Sequence, residues 1–417
     1  MKFDFDKIIN RRNTNSIKWD VAENELPMWV ADMDFETSPA IIDAVASRVA
    51  LGHFGYSDVT DDWYDAYISW WKRRHNFEME KDWLIFSSGV VPAISSIVRK
   101  LSTPAEKVVV QTPCYNIFFN SIVNNGRVPV ESPLKIVETE RVVEDFEETG
   151  AKTGRKSVKE RHYACDFQRL EQDLSDPQVR LMILCNPQNP TGEIWDKETL
   201  TRIAELCDKY DVTVISDEAH CDIVVPGREY IPFASVSETA RKVSVSLLSP
   251  SKTFNVAGMH SAAVVVPDPK MRHKVWRGLN TDEVAEPNAF AIVSAVAAYK
   301  EEVSEEWCDE MNAYVAENKK FAVEFLKKKF PAELPPIYVF PGDSTYLIWI
   351  DMHDYLPDFA KYLRKHTGLF LSDGAAYGLA GRGFVRMNLA CPRSIVEEGC
   401  KRLITGARMF AEEKLGK

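Results

Sequence analysis

The chain has 417 residues, 45% hydrophobic and 27% charged, with 51 basic and 62 acidic side chains for a net charge of −11. That mixture excludes a disordered or collagen-like chain and can bury a core without disulfide or metal staples. The acidic balance, with no basic arm interleaved with aromatics, excludes a nucleic-acid backbone as the main partner.

At about 150 residues per domain the length implies two or three domains. The start, Met1 to Lys7, has no apolar signal core, and the longest apolar helical run, near Ala289–Tyr299, is shorter than a membrane span. Eight cysteines include no C-x-x-C pair. The expectation is a soluble cytoplasmic protein with reduced thiols.

In chain order, Trp63, Trp70 and Trp71 fall at helical spacing and read as packing. Ser87–Ala93 is a turn of small residues opening a helix, Ile94–Leu101. Such a turn presents free backbone N–H groups, a seat for phosphate. Strands are predicted at Lys107–Gln111, Arg180–Cys185, Asp211–Ser216, Val243–Leu248 and Ala262–Val266, with an Asp-capped helix over Asp196–Tyr210. Residues 138–161, an acidic run followed by a basic one, predict a solvated surface excursion. From about Glu286 one long helical segment is predicted to run through Asn288–Lys300 to Lys329, ended by Pro331, Pro335 and Pro336. Strand-like Tyr346–Ile350 and Phe384–Leu389 follow.

The fold class is therefore α/β, a large domain with a mostly parallel sheet sandwiched by helices plus a smaller α+β domain. The expected division is residues 1–45 as an N-terminal segment joining the small domain, 46–285 as the large domain, and 286–417 as linker helix and small C-terminal domain.

Three predicted strands end in polar residues: Asn186–Gly192 (NPQNPTG), Asp217–His220 (DEAH) and Ser249–Thr253 (SPSKT). In a parallel sheet these ends share one edge, where open α/β sheets bind ligands. A carboxylate, a lysine and a phosphate seat together suggest pyridoxal 5′-phosphate (PLP), which needs a Lys for its aldehyde, an Asp for its pyridine nitrogen and donors for its phosphate.

The chain resembles fold-type I PLP enzymes of the class I/II aminotransferase superfamily, and within them the cystathionine β-lyase branch (MalY/PatB-type C–S lyases). The resemblance runs through PMWVADMDF (27–35), HFGYS (53–57), SGVVP (88–92), TPCY (112–115), NPQNPTG (186–192), SDEAH (216–220), SKTFNVAG (251–258) and FVRMNLACPR (384–393). It implies that Lys252 binds the cofactor aldehyde, Asp217 pairs with the pyridine nitrogen, Asn189 bonds the phenolic oxygen and Tyr115 stacks on the ring. It implies that Ser88, the amides of Gly89, Val90 and Val91, and Ser249 hold the phosphate. Tyr56 would reach the phosphate of the neighbouring subunit, hence a homodimer with shared sites. Arg386 would grip the substrate carboxylate, and Trp29 and Met33 would line the substrate pocket. His220 stands where aminotransferases usually place Tyr, and His260 where they often place Arg; both fit the lyase branch.

Other readings of the same residues carry less. DEAH also occurs in helicases, but no G-x-x-x-x-G-K-[ST] precedes it. Asp217, Glu218, His220, Cys221 and Asp222 are too crowded along one strand end to converge on a metal, so none is expected. Gly378–Gly383 resembles a dinucleotide loop but precedes a strand, the wrong order. His53, His75 and His273 read as surface or structural. His220 is either a satisfied polar side chain or, as the resemblance implies, a group near the phenolic oxygen.

The implied reaction is α,β-elimination from an S-substituted cysteine such as cystathionine, with Lys252 taking the Cα proton. The rival is an aminotransferase using the same Lys252 to reprotonate the cofactor carbon. A third possibility is a regulatory binding protein of the same fold, against which an intact Lys252, Asp217 and Arg386 argue.

Overall fold

The structure, a computed structural model, describes residues 2–146 and 152–416. A seven-stranded sheet comprises β1 (Leu84–Ser87), β2 (Lys107–Thr112), β3 (Val128–Pro133), β4 (Val179–Cys185), β5 (Thr213–Asp217), β6 (Ser244–Leu248) and β7 (Ala262–Val265). Their order across the sheet is β1-β7-β6-β5-β4-β2-β3. The neighbours from β6 to β3 pair in parallel, while β7 is antiparallel to both β1 and β6.

Successive strand residues point to opposite faces, and both faces are covered. On one face Val108, Val110, Leu181 and Ile183 join Ile94 and Ile97 of the helix Val90–Leu101. On the other, Val109, Met182 and Leu184 join Leu200, Ile203 and Cys207 of the helix Lys197–Lys209. Asp196 caps that second helix through the Thr199 amide at 2.7 Å. Trp63, Trp70 and Trp71 are fully buried in a third cluster.

A second sheet is antiparallel throughout and has the order β8 (Tyr338–Phe340), β9 (Leu347–Asp351), β11 (Phe384–Asn388), β10 (Ser372–Asp373). Near the N-terminus, Leu26–Pro27 pairs in parallel with Leu369–Phe370.

One expectation needs correction, and another gains a definite form. The long helix is two helices, Ala291–Lys300 and Glu302–Lys329, because Glu301 adopts an extended conformation between them. Ser304 Oγ bridges the break by donating to Ala297 O at 2.9 Å. The charged stretch forms an antiparallel hairpin, Lys135–Phe146 with Lys152–Ala164; residues 147–151 lie outside the described residues. Its strands set acid against base, with Glu138 opposite Arg161 and Glu140 opposite Lys159. Among the described residues no helix is long and apolar enough to cross a membrane.

Candidate active site

The parallel register brings the predicted strand ends together. Cys185 lies opposite Asp217, and Asp217 opposite Leu247, so the turns after β4, β5 and β6 open on one edge. They surround a cavity of about 270 Å³. Lys252, Asp217, Asn189, His220, Tyr115, Ser88, Gly89, Val90, Val91 and Ser249 all line it, and His260 does too.

Lys252 sits in the short helix Pro250–Thr253, capped by Ser249. Its Nζ donates to Ala31 O at 2.7 Å. Burial, then the Arg386 charge, push its proton affinity down, against the opposing pull of Asp32 and Asp217. Asp217 accepts from the Ala219 amide at 3.1 Å. Burial pushes its carboxyl up to about 6, and no ion-pair partner lies within 4.0 Å among the described residues. Burial, helped by the charges of Lys252, Arg386 and Lys319, holds His220 well below the usual histidine range. Its Nδ1 is buried with no hydrogen-bond partner among the described residues. Tyr115 is pushed up to about 12, chiefly by burial.

Opposite these groups, the helix Val90–Leu101 begins at Gly89 with no side-chain cap. Its first amides are therefore free donors at the positive end of the helix dipole.

Arg386 is buried on β11, outside the cavity wall proper. It donates from Nη1 to Asn189 Oδ1 at 3.0 Å and from Nη2 to Trp29 O at 2.8 Å, while its Nε is buried without a partner among the described residues. Asn189 thus spends its oxygen on Arg386 and keeps Nδ2 as a donor. Trp29 stacks on Phe370, with ring centroids 4.6 Å apart. Met33 is not brought to the cavity, contrary to expectation. Its main chain is tied to Asn255, and its side chain is fully buried in the cluster containing Phe35 and Trp307. Tyr56 is fully exposed, and its own chain's cavity does not include it.

Of the crowded residues after β5, Cys221 and Asp222 turn away from the cavity and come within 4.8 Å of His75 and of one another. Asp222 is already engaged there by Trp70, His75 and Thr253. Gly378 packs its backbone against Thr112; a Cβ on it would lie 2.6 Å from Thr112 Cγ2.

Several contacts of the site had no sequence signal. Within the segment PMWVADMDF it is the carbonyls of Trp29 and Ala31 that reach the site. Trp29 O also accepts from Ser372 Oγ at 2.9 Å, and Ala31 O from Tyr346 Oη at 2.9 Å. The Asn189 turn is fixed from below. Gly192 O accepts from the Asp343 and Ser344 amides, and Gly342 runs so close that a Cβ on it would lie 2.5 Å from Gly192 Cα. Lys319, buried, donates to Pro341, Gly342 and Ser344 carbonyls and holds that turn.

The sequence pattern of aminotransferase class I and II matches residues 23–403. The chain belongs to this family. Within the family it is 37% identical over 408 residues to cystathionine beta-lyase PatB of Bacillus subtilis, covering 96% of this chain and 98% of that one. It is 31% identical to protein MalY of Escherichia coli, covering 97% and 99%. Cystalysin from Treponema denticola, whose crystal structure contains pyridoxal 5′-phosphate, superposes with a TM-score of 0.87 at 28% identity, over 98% of this chain and 100% of that one. The PLP-bound C–S lyase of Staphylococcus hominis gives 0.85 at 28% identity, over 99% and 100%.

Proposed function

We propose that the protein is a PLP-dependent carbon–sulfur lyase that splits cystathionine or related S-substituted cysteines, with water, into a thiol, pyruvate and ammonia. The observation that carries this reading is the meeting of Lys252, Asp217 and an uncapped helix start in one cavity. Each is half of an interaction that PLP would complete. Asp217 is a buried carboxylate without a cation, which suits the pyridine nitrogen. The open helix start, with Ser88 and Ser249, suits the phosphate. Asn189 Nδ2 and the unpartnered His220 suit the phenolic side, and Tyr115 the ring face. The relatives named cystathionine beta-lyase support the same reaction.

When bound, PLP supplies the sink for the electron pair left on Cα. The chain does the rest. Arg386 holds the α-carboxylate, using the buried Nε and the Nη2 now lent to Trp29 O. Lys252 Nζ, whose proton affinity burial lowers, takes the Cα proton. Once protonated, it delivers a proton to the departing sulfur. Trp29, whose ring stacks on Phe370 outside the cavity lining, meets the substrate side through the carbonyl that Arg386 holds. The enzyme acts as a cytoplasmic homodimer, with exposed Tyr56 reaching the partner's cofactor phosphate; eight free, buried cysteines support the reducing compartment.

The test is a paired assay on PLP-loaded protein. One arm supplies cystathionine and follows thiol, pyruvate and ammonia; the other supplies amino acids with 2-oxoglutarate and follows glutamate. Equal thiol and pyruvate without glutamate is expected. Glutamate without thiol would make the protein an aminotransferase and overturn the proposal.

A further inference from the structure

The segment from Met28 to Asp34 is tied to β11 and its continuation at both ends. Asn388 N donates to Met28 O at 2.9 Å, and Asp34 N donates to Ala390 O at 2.8 Å. Between these ties the segment stands off as a strap, and the Asn388 side chain fills the gap. Its Nδ2 donates to Val30 O at 2.7 Å and to Asp32 O at 2.6 Å. Its Oδ1 accepts from the Ala390 amide at 2.8 Å, which fixes which end of the amide faces the strap. Arg386 and Asn388 are two residues apart on one strand, so both side chains leave the same face. One strand therefore grips Trp29 O with Arg386 and the next carbonyls with Asn388.

The two carbonyls held by Asn388 flank Ala31. Ala31 O is left to accept from Lys252 Nζ at 2.7 Å and from Tyr346 Oη at 2.9 Å. We propose that Asn388 is a positioning residue for Lys252: by clamping Val30 and Asp32 it fixes Ala31 O as the docking point of the lysine amine whenever that amine is free. This rests on the reading of Lys252 as the reacting amine. The docking point is a neutral carbonyl, so it orients Nζ and favours its ammonium form without supplying a counter-charge. The other charged or titratable groups acting on Nζ are Arg386, Asp32, Asp217 and His220.

The test uses the full-length cofactor-free protein, with Lys252 acylation by acetic anhydride followed by mass spectrometry across pH. In Asn388→Ala the strap loses its clamp, and Nζ loses the acceptor that favours its charged form. The acylation midpoint should then move to lower pH, and the rate near neutrality should rise severalfold. In Tyr346→Phe, Ala31 O is no longer shared, so the midpoint should move the opposite way. A merely structural effect would not give opposite signs. In the PLP-loaded enzyme, Asn388→Ala should shift the acid limb of the kcat profile while leaving KM within about twofold. A folded Asn388→Ala with the wild-type midpoint overturns the proposal. If Asn388→Ala does not fold, an unmoved midpoint in Tyr346→Phe overturns it. Because the labelling is read without cofactor, its failure is distinct from the wild type's failing to release thiol, which would sink the lyase reading instead.

Discussion

Replacing Asp217 with Asn should make the cofactor-free protein more stable while weakening its hold on PLP. The Asp217 carboxyl is buried at the end of β5 and raised from an ordinary 3.8 to about 6, with burial the largest cause. Between those two values the folded chain keeps a proton that the unfolded chain has released. Its contribution to stability is therefore greatest below the window, falls as pH rises through it, and is lowest above about 6. At about 1.36 kcal/mol per pH unit, the fall amounts to about 3 kcal/mol. Asn has no such proton and keeps an oxygen for the Ala219 amide. Near neutrality, cofactor-free Asp217→Asn should therefore exceed the wild type by up to about 3 kcal/mol. The gap should close as pH falls towards the ordinary carboxylate range. With PLP present the order should reverse, since Asn cannot hold a protonated pyridine nitrogen. Urea unfolding across pH, with and without PLP, measures both effects. A variant less stable than the wild type near neutrality without PLP, by the same margin at every pH, would refute the reasoning.

Other substitutions test the remaining parts. Lys252→Ala should abolish the visible absorbance of the lysine-bound cofactor and lower turnover by at least about a thousandfold, checked by spectrophotometry and thiol release. Arg386→Ala should raise KM by about ten- to a hundredfold, reflecting about 1.5–3 kcal/mol of charged hydrogen bonding, with smaller effects on PLP loading. Gly342→Ala should destabilise by about 2–4 kcal/mol. Gly342 has φ +62°, and a Cβ there would meet the Gly192 and Thr191 backbones at 2.5 Å. Denaturant unfolding measures that loss, and a weaker hold of PLP should accompany it because the same contact seats the Asn189 turn.

The strand ends that build the site were legible because apolar, β-branched runs stop abruptly at NPQNPTG, SDEAH and SPSKT. Parallel pairing then leaves little choice about where Asn189, Asp217 and Lys252 meet. The uncapped helix start at the cavity was legible from the small residues before Val90. Met33 was misplaced because a run such as PMWVADMDF has no helical or strand period to say which side chains face in. The strap's role was invisible for a related reason: every residue type carries a carbonyl, so Ala31 has no sequence mark. The hairpin read only as an excursion because its charged faces give no apolar alternation. The interruption at Glu301 was hidden in a sequence with helical residues on both sides.

The two cations of the site, Lys252 and Arg386, are answered by carbonyls of Ala31 and Trp29, which leave their charge in place. The nearby Asp32 is already engaged by Arg11 and Lys18. A chain of net charge −11 thus holds two cationic side chains at one sheet edge, with the buried Asp217 carboxyl as the acidic group beside them. Anionic phosphates and carboxylates would be repelled by the body at long range and drawn in only close to the mouth. Because salt screens such fields beyond about 10 Å at 0.1 M ionic strength, capture should respond to salt less steeply than attraction to an oppositely charged surface would.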